Sequence, residues 1–114
     1  MKANELRIGN WIINGIGEEF QTNEHTIAYY DNGIATLGEF KPIPLTEQWL
    51  KDFGFTINGC WCSNKLVLES DKTLMGFKRY WFNSNKLREK IRIKYVHQLQ
   101  NLYFALTGKE LIKS

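Results

Sequence analysis

Apolar and polar residues follow a helical pattern most clearly near the C-terminal end of the chain. Apolar side chains recur there at the spacing of one helix face, at Tyr95, Leu99, Leu102, Tyr103 and Leu106. Val96 and Phe104 widen this apolar face. Gly108 follows at the position where a left-handed residue commonly ends a helix, and Lys109 adds positive charge beyond the carbonyl end. The pattern predicts a C-terminal helix over residues 96–107.

Alternating patterns and turn residues predict short strands before this helix. Asn-Gly supplies both positive-φ positions of a type I′ hairpin turn, and it occurs at Asn14-Gly15, Asn32-Gly33 and Asn58-Gly59. Residues 6–43 are therefore predicted to form several short strands of a small curled, SH3-like sheet. Residues 55–95 are predicted to form a second β region, in which residues 69–72 connect one strand to the next.

A short helix is predicted between the two β regions, over residues 46–53. Pro42 and Pro44 close the first β region, because proline cannot donate to a sheet ladder. Thr46 is of the type preferred at a helix N-cap, and Gly54 stands where the helix would end. A helix of about two turns depends on packing for its stability.

Residues 86–94 match two patterns, one helical and one extended. Ile91 and Ile93 alternate with charged residues, which favours a strand for the last five residues of this segment. The predicted fold class is thus α+β: an antiparallel, β-rich single domain over residues 1–114, with the C-terminal helix packed on the sheet.

Length and composition agree with one folded domain. The chain has 114 residues, of which 43% are hydrophobic, 14% aromatic and 24% charged, and these values are typical of a folded protein. It has no run of the roughly 20 apolar residues that a membrane-spanning helix needs. Its first residues lack the apolar segment of a secretory signal. We therefore expect a cytoplasmic protein without a membrane partner.

Charge is distributed unevenly along the chain. Residues 1–71 carry five Lys or Arg and ten Asp or Glu, whereas residues 72–114 carry ten and two. This asymmetry is typical of a surface that meets nucleic acid or an acidic partner. The alternative is that the two halves interleave in space and partly neutralise each other, because blocks of charge along a sequence need not form surface patches.

Catalytic and metal-binding motifs are not evident in the sequence. Cys60 and Cys62 provide only two of the four ligands of a structural zinc site, and we expect them to be reduced thiols. Neither they nor His97 belong to a recognisable nucleophile–base arrangement. His97, beside Gln98 and Gln100, is instead expected to be a polar group at the start of the helix or a partly buried hydrogen-bonding group. The sequence predicts a protein that is not an enzyme, with no cofactor and no metal.

Basic residues interleaved with aromatic residues in the second half predict nucleic-acid binding. Cations neutralise phosphates while exposed aromatic rings stack on bases, which is the usual way of binding a single strand. The candidate residues are Lys78, Arg79, Lys86, Arg88, Lys90, Arg92 and Lys94, among Tyr80, Trp81, Phe82 and Tyr95. The alternative is that these aromatic residues form the core and that the cations merely solvate the other strand face.

The width of the apolar face on the C-terminal helix gives a second functional hypothesis. A single small sheet does not obviously cover it, so the remainder could meet a protein partner or a second copy of the chain in a homodimer. The candidate residues are Leu99, Leu102, Tyr103 and Phe104. The alternative is a helix wedged between two β layers.

Three segments carry a resemblance to a known group of proteins. They are Glu5–Trp11 (ELRIGNW), Lys41–Glu47 (KPIPLTE) followed by Trp49-Leu50 and Phe53–Phe55, and Tyr95–Gly108 (YVHQLQNLYFALTG). Together they resemble short uncharacterised proteins of Bacteroides-type bacteria and their phages or prophages. The resemblance implies a phage or mobile-element setting, and it brings no activity, cofactor or catalytic residue. The sequence thus predicts a phage-related binding module that contacts nucleic acid, with protein–protein interaction as the alternative.

Overall fold

The computed structural model describes residues 6–25, 40–57, 61–62, 66–84 and 89–113, and its fold class is α+β. Two antiparallel sheets are present, as predicted, together with a short middle helix and a C-terminal helix. Contacts divide the chain into two units, which are described separately below. Unit 1 comprises Met1–Pro44 with Tyr95–Asn101, and unit 2 comprises Leu45–Lys94 with Leu102–Ser114.

Unit 1 contains a three-stranded antiparallel sheet with β1 (Trp11–Asn14) at its centre. The strand β2 (Glu19–Gln21) pairs on one side and β3 (Phe40–Pro42) on the other. Ile12 of β1 is completely buried. The buried apolar side chains of the unit are those of Leu6, Ile12, Ile43, Val96 and Leu99.

The loop between β1 and β2 differs from the predicted type I′ turn. Gly17, and not Gly15, takes the positive φ of +85°. The Gly17 N–H donates to the Asn14 carbonyl oxygen at 3.1 Å, and the Asn14 N–H donates to the Glu18 carbonyl oxygen at 2.9 Å. This pattern is a three-residue hairpin loop that ends in a left-handed glycine. The Asn14 side chain stabilises it, because its Oδ1 accepts the N–H groups of Ile16 and Glu18.

Unit 2 contains the helix α1 (Glu47–Asp52) and a five-stranded antiparallel sheet. Thr46 caps α1 as predicted, because its hydroxyl accepts the Trp49 N–H, and Gly54 follows the helix with a φ of +87°. The strands are β4 (Thr56–Ile57), β5 (Trp61–Cys62), β6 (Val67–Lys72), β7 (Lys78–Ser84) and β8 (Glu89–Ile93), and they pair in that order. The buried apolar residues are Leu45, Trp49, Leu50, Phe53, Phe55, Trp61, Leu66, Leu68, Tyr80, Ile93 and Leu111.

The hairpin of β6 and β7 lies further along the chain than predicted. Residues 69–72 do not form the connection but continue β6, and Glu69 pairs with Trp81. The loop is Thr73–Phe77 instead. The prediction was wrong because the end of β6 is exposed on both faces, so its polar residues have the same composition as a turn. The strand favoured for the end of residues 86–94 is confirmed as β8.

The C-terminal helix α2 spans Val96–Thr107, and Gly108 ends it with a φ of +73°. Its buried face differs from the predicted one. His97 and Gln100 are buried together with Val96 and Leu99, whereas Leu106 is half exposed. Because both residues are polar, the spacing of the apolar residues did not predict that these two positions are buried.

Some predictions fall on residues outside the described ranges. The turns predicted at Asn32-Gly33 and Asn58-Gly59 lie outside the described residues. The strands β4 and β5, on either side of residues 58–60, pair in antiparallel register. The SH3-like detail of the first sheet stays a prediction, and so does the single domain over residues 1–114.

Candidate functional site

The outer face of the five-stranded sheet carries most of the predicted nucleic-acid-binding residues that the structure describes. Directly paired residues of antiparallel strands project to the same face. Glu69 pairs with Trp81, which pairs with Arg92, and Asp71 pairs with Arg79. The outer face therefore contains Glu69, Asp71, Arg79, Trp81, Lys90 and Arg92. The inner face contains Leu68, Tyr80 and Ile93, all of which are buried.

Asp71 accepts hydrogen bonds from two side chains of β7, those of Arg79 and Trp81. Its Oδ1 accepts the Nε–H of Arg79 at 2.9 Å, and its Oδ2 accepts an Nη2–H of the same residue at 2.8 Å. The Trp81 Nε1–H also donates to Oδ1, at 3.2 Å. The Arg79 guanidinium lies 5.6 Å from the centroid of the Trp81 ring, within the range of a cation–π interaction. The strand register therefore places the guanidinium of Arg79 beside the half-buried ring of Trp81 on the outer face.

Three of the candidate cations form ion pairs with acidic residues from the first part of the chain. Arg79 pairs with Asp71 as above, Lys90 pairs with Glu69 at 2.7 Å, and Lys78 pairs with Glu47 of α1. Each pair joins a cation from residues 72–114 to an acid from residues 1–71. Within unit 2, the two blocks of charge therefore interleave at these pairs. Exposed pairs of this kind stabilise a protein by about 0–1 kcal/mol, so they do not immobilise the cations strongly.

These contacts alter the ionisation of the residues that make them. The hydrogen bond from Arg79 lowers the pKa of the Asp71 carboxyl below its ordinary value of 3.8, although partial desolvation opposes the effect. The hydrogen bond to Glu69 raises the pKa of the Lys90 ammonium above its ordinary value of 10.5. Burial raises the pKa of the Tyr80 phenol on the inner face. At neutral pH the outer-face carboxylate and ammonium are both charged.

A titration of Asp71 tests this arrangement. The substitution Arg79→Gln removes the largest cause of the lowered pKa, so we expect the NMR titration midpoint of the Asp71 carboxyl to rise towards 3.8. A lowered native pKa stabilises the fold above the unfolded-state pKa, and that contribution is lost as the pH falls through the native pKa. The control is Lys41→Gln, which removes an exposed cation of unit 1. Identical midpoints in the wild type and Arg79→Gln would contradict the assignment.

The remaining predicted residues are distributed as follows. Arg92 and Lys94 are exposed, and Arg92 lies opposite Trp81 in the register. Lys86 and Arg88 lie outside the described ranges. Of the aromatic residues, Tyr80 is buried on the inner face, whereas Trp81 is half-buried on the outer face. The aromatic residues are therefore divided between the core and the surface.

The four residues expected to bind a partner are not equally accessible. Leu99 is completely buried, so a partner cannot reach it in the folded chain. Leu102 and Tyr103 are half-buried, and Phe104 is 40% exposed. Association through this helix stays a prediction and could involve only its C-terminal half.

A buried polar network in unit 1 was not predicted as a unit. The Trp11 N–H donates to Gln100 Oε1 at 2.8 Å, and Gln100 Nε2 donates to the Gly9 carbonyl oxygen at 3.0 Å. Asn10 donates from Nδ2 to Asn101 Oδ1 at 3.0 Å. The Asn10 N–H donates to the Thr22 hydroxyl, which donates to the carbonyl oxygen of residue 7. The network joins α2 to the segment before β1, and we interpret it as structural.

This network gives a physical reason for two of the segments that carry the resemblance. Asn10 belongs to the ELRIGNW segment, and Gln100 and Asn101 belong to the YVHQLQNLYFALTG segment. The two segments meet through buried side-chain hydrogen bonds, which tolerate substitution poorly. His97 of the second segment is also buried, and its ring stacks on that of Tyr95 with centroids 5.9 Å apart.

Other chemistry was sought throughout the described ranges. No group of three or more His, Cys, Asp and Glu side chains there could hold a metal ion. Cys62 is a half-buried reduced thiol, and Cys60 lies outside those ranges. No helix in the described part of the chain has the length and apolar character needed to cross a membrane.

Comparisons with protein families, with curated proteins and with solved structures find no match for this chain. The resemblance to proteins of Bacteroides-type bacteria and their phages therefore stays a prediction. Function has to be argued from the geometry alone.

Proposed function

We propose that this chain is a non-catalytic module that binds nucleic acid, with single strands preferred, through the outer face of its five-stranded sheet. The observation that carries the proposal is the setting of Trp81. Its half-buried ring lies beside the guanidinium of Arg79 and opposite Arg92 in the strand register. A ring flanked by cations is suited to stacking on a base while the cations contact the adjoining phosphates.

The balance of charge on the outer face predicts the strength of binding. Glu69 and Asp71 offset part of the positive charge of Arg79, Lys90 and Arg92, and the first two of these cations already have acidic partners. The face is therefore less basic than the sequence of the second half indicates. We expect weak, sequence-independent binding, with a Kd of about 10⁻⁴–10⁻⁶ M at physiological salt.

A phage or mobile-element setting and a cytoplasmic location belong to the same proposal. Both rest on sequence features given above, the resemblance of three segments and the composition of the first residues. Neither is needed for the binding experiment, which tests the outer face directly.

The experiment is a fluorescence-anisotropy titration of short single-stranded and duplex oligonucleotides at about 50 mM and about 200 mM salt. We expect binding that weakens with salt, because bound cations release counterions from the phosphates. Arg92→Gln should weaken binding to all sequences alike and reduce the salt slope by about 1. The control Lys41→Gln removes the same charge from an exposed position in unit 1 and should leave binding unchanged.

Two results would count against the proposal. If the wild-type protein shows no salt-sensitive binding to any probe, the function is wrong. If binding occurs but Arg92→Gln and Lys41→Gln weaken it equally, the outer face is not the binding surface.

A further inference from the structure

The loop at the tip of the β6–β7 hairpin is rigidly built. The Thr73 N–H donates to the Phe77 carbonyl oxygen at 2.8 Å, and the Gly76 N–H donates to the Thr73 carbonyl oxygen at 2.9 Å. The Phe77 N–H donates to the Thr73 hydroxyl at 3.1 Å, and Gly76 takes a φ of +86°. The hydrogen bonds fix the backbone, so the side chains of the loop are presented in a defined arrangement.

This loop exposes apolar side chains that its backbone does not require. Leu74 is fully exposed, Met75 is 83% exposed and Phe77 is 66% exposed. The central positions of such turns are usually occupied by polar residues, glycine or proline. Clustered exposed apolar residues commonly mark a binding site. The hydrogen bonds that form the loop do not account for these exposed side chains.

The side chains at the tip line an open hollow of about 590 Å³. Its lining residues are Lys72, Thr73, Leu74, Met75, Phe77 and Arg79. The hollow thus combines an exposed phenyl ring and two aliphatic side chains with two cations. A planar apolar group that carries a negative charge matches this combination.

Of the two cations that line the hollow, Arg79 pairs with an acidic residue, whereas Lys72 pairs with none in the described ranges. Arg79 is bound by Asp71 through Nε and Nη2, which orients the guanidinium. Lys72 is exposed and forms no ion pair with an acidic residue of the described ranges. Lys78, directly opposite Lys72 in the register, is paired with Glu47 instead. Lys72 and Arg79 therefore both border the apolar lining of the hollow.

We propose that this hollow binds one unstacked nucleotide of a single strand, with its base against Phe77 and its phosphate at Lys72 and Arg79. The proposal rests on the proposed function, because it places a specific subsite next to the outer face that Arg79 shares. A nucleotide fits better than a lipid surface, since the exposed ring of Phe77 and the two cations that border the same open hollow match the base and the phosphate of one residue. A duplex fits poorly, because its bases are stacked and their faces are not accessible.

The chain contains a matched control for this site. The loop between β1 and β2 has the same hydrogen-bond pattern, with a left-handed Gly17, and it exposes Ile16 at 79%. Gly17 is followed by Glu18 and Glu19, where the other loop has Phe77 and Lys78, so this loop lacks the aromatic ring and carries acidic side chains. Ile16→Ala therefore changes an exposed apolar residue in an equivalent loop without touching the hollow.

The test is a titration of a labelled oligothymidylate with the wild type, Phe77→Ala, Lys72→Gln and Ile16→Ala. We expect Phe77→Ala to weaken binding about tenfold, the loss of one base–ring stack, and Ile16→Ala to have no effect. Lys72→Gln should reduce the salt slope by about 1. Phe77→Ala should affect a duplex probe less than the single strand. Circular dichroism of each variant checks that the fold is retained.

The outcomes separate the subsite from the proposed function. If Arg92→Gln weakens binding and Phe77→Ala does not, the outer face binds nucleic acid and the hollow does not. If no oligonucleotide binds, both proposals fail. If the wild type binds vesicles containing anionic lipid and not oligonucleotides, and Phe77→Ala abolishes that binding, the hairpin tip is a membrane contact and the nucleotide site is wrong.

Discussion

Replacing Gln100 with methionine is expected to lower the free energy of unfolding by about 3 kcal/mol. Methionine keeps the length of the side chain but removes both polar atoms. The Trp11 N–H loses its acceptor and the Gly9 carbonyl oxygen loses a donor, both beside a side chain that is only 1% exposed. A buried polar group left without its partner costs about 1–3 kcal/mol, and the Trp11 N–H loses its Gln100 acceptor in this way. The Gly9 carbonyl oxygen and Asn10 Nδ2 each lose one hydrogen bond and keep another, to Gln21 and Asn101.

Urea unfolding followed by circular dichroism measures the effect as a shift of the midpoint at constant slope. The control is Gln48→Met in α1, where the exposed Gln48 side chain donates to Asp52 at 2.8 Å. We expect the control to change the free energy of unfolding by less than about 0.5 kcal/mol. Equal effects of the two substitutions would show that the Gln100 network does not stabilise the fold.

Replacing Leu68 with alanine is the second substitution with a large expected effect, a loss of about 3 kcal/mol in the free energy of unfolding. Leu68 lies on the inner face of β6, between Trp61 of β5 and Phe82 of β7 in the register, and it is completely buried. The substitution removes buried apolar atoms and leaves a cavity, and each effect destabilises the fold.

The adjacent residue Val67 provides the control, because it projects from the opposite face of the same strand and is 48% exposed. Val67→Ala should cost about 0.5 kcal/mol, mainly through reduced strand propensity. The pair tests the assignment of inner and outer faces, since a one-residue shift in register would exchange the two effects. A larger loss for Val67→Ala than for Leu68→Ala would contradict the register on which the outer face depends.

The sequence predicted the starts and ends of helices, which single residues and their near neighbours determine. Thr46 at the start of α1 and Gly54 and Gly108 at the helix ends were correctly interpreted. Each of these signals acts within about one helical turn, where the chemistry of single residues decides the backbone conformation. The α+β fold class followed from several such signals together.

Features that depend on distant residues were not predictable. Nothing near Gln100 in the sequence indicates that Trp11 and Gly9 are its hydrogen-bond partners. The burial of this polar side chain among apolar ones was therefore not predicted. The polar residues of β6 resembled a turn because their strand partners were unknown. The contact of Asp71 with Arg79 and Trp81 needs the exact register, which composition does not give. The hairpin tip was detectable, because Gly76 stands three residues after Thr73, as Gly17 does after Asn14.

The hydrogen bonds from Gln100 to Gly9 and Trp11 also bear on how this fold can be made. They join residues separated by 91 and 89 positions in the sequence. Contacts of such high sequence separation require the closure of a long loop, which slows their formation. During synthesis, residues 9–11 are made well before residue 100. Their buried hydrogen bonds to α2 can therefore form only after the intervening sheets have been translated.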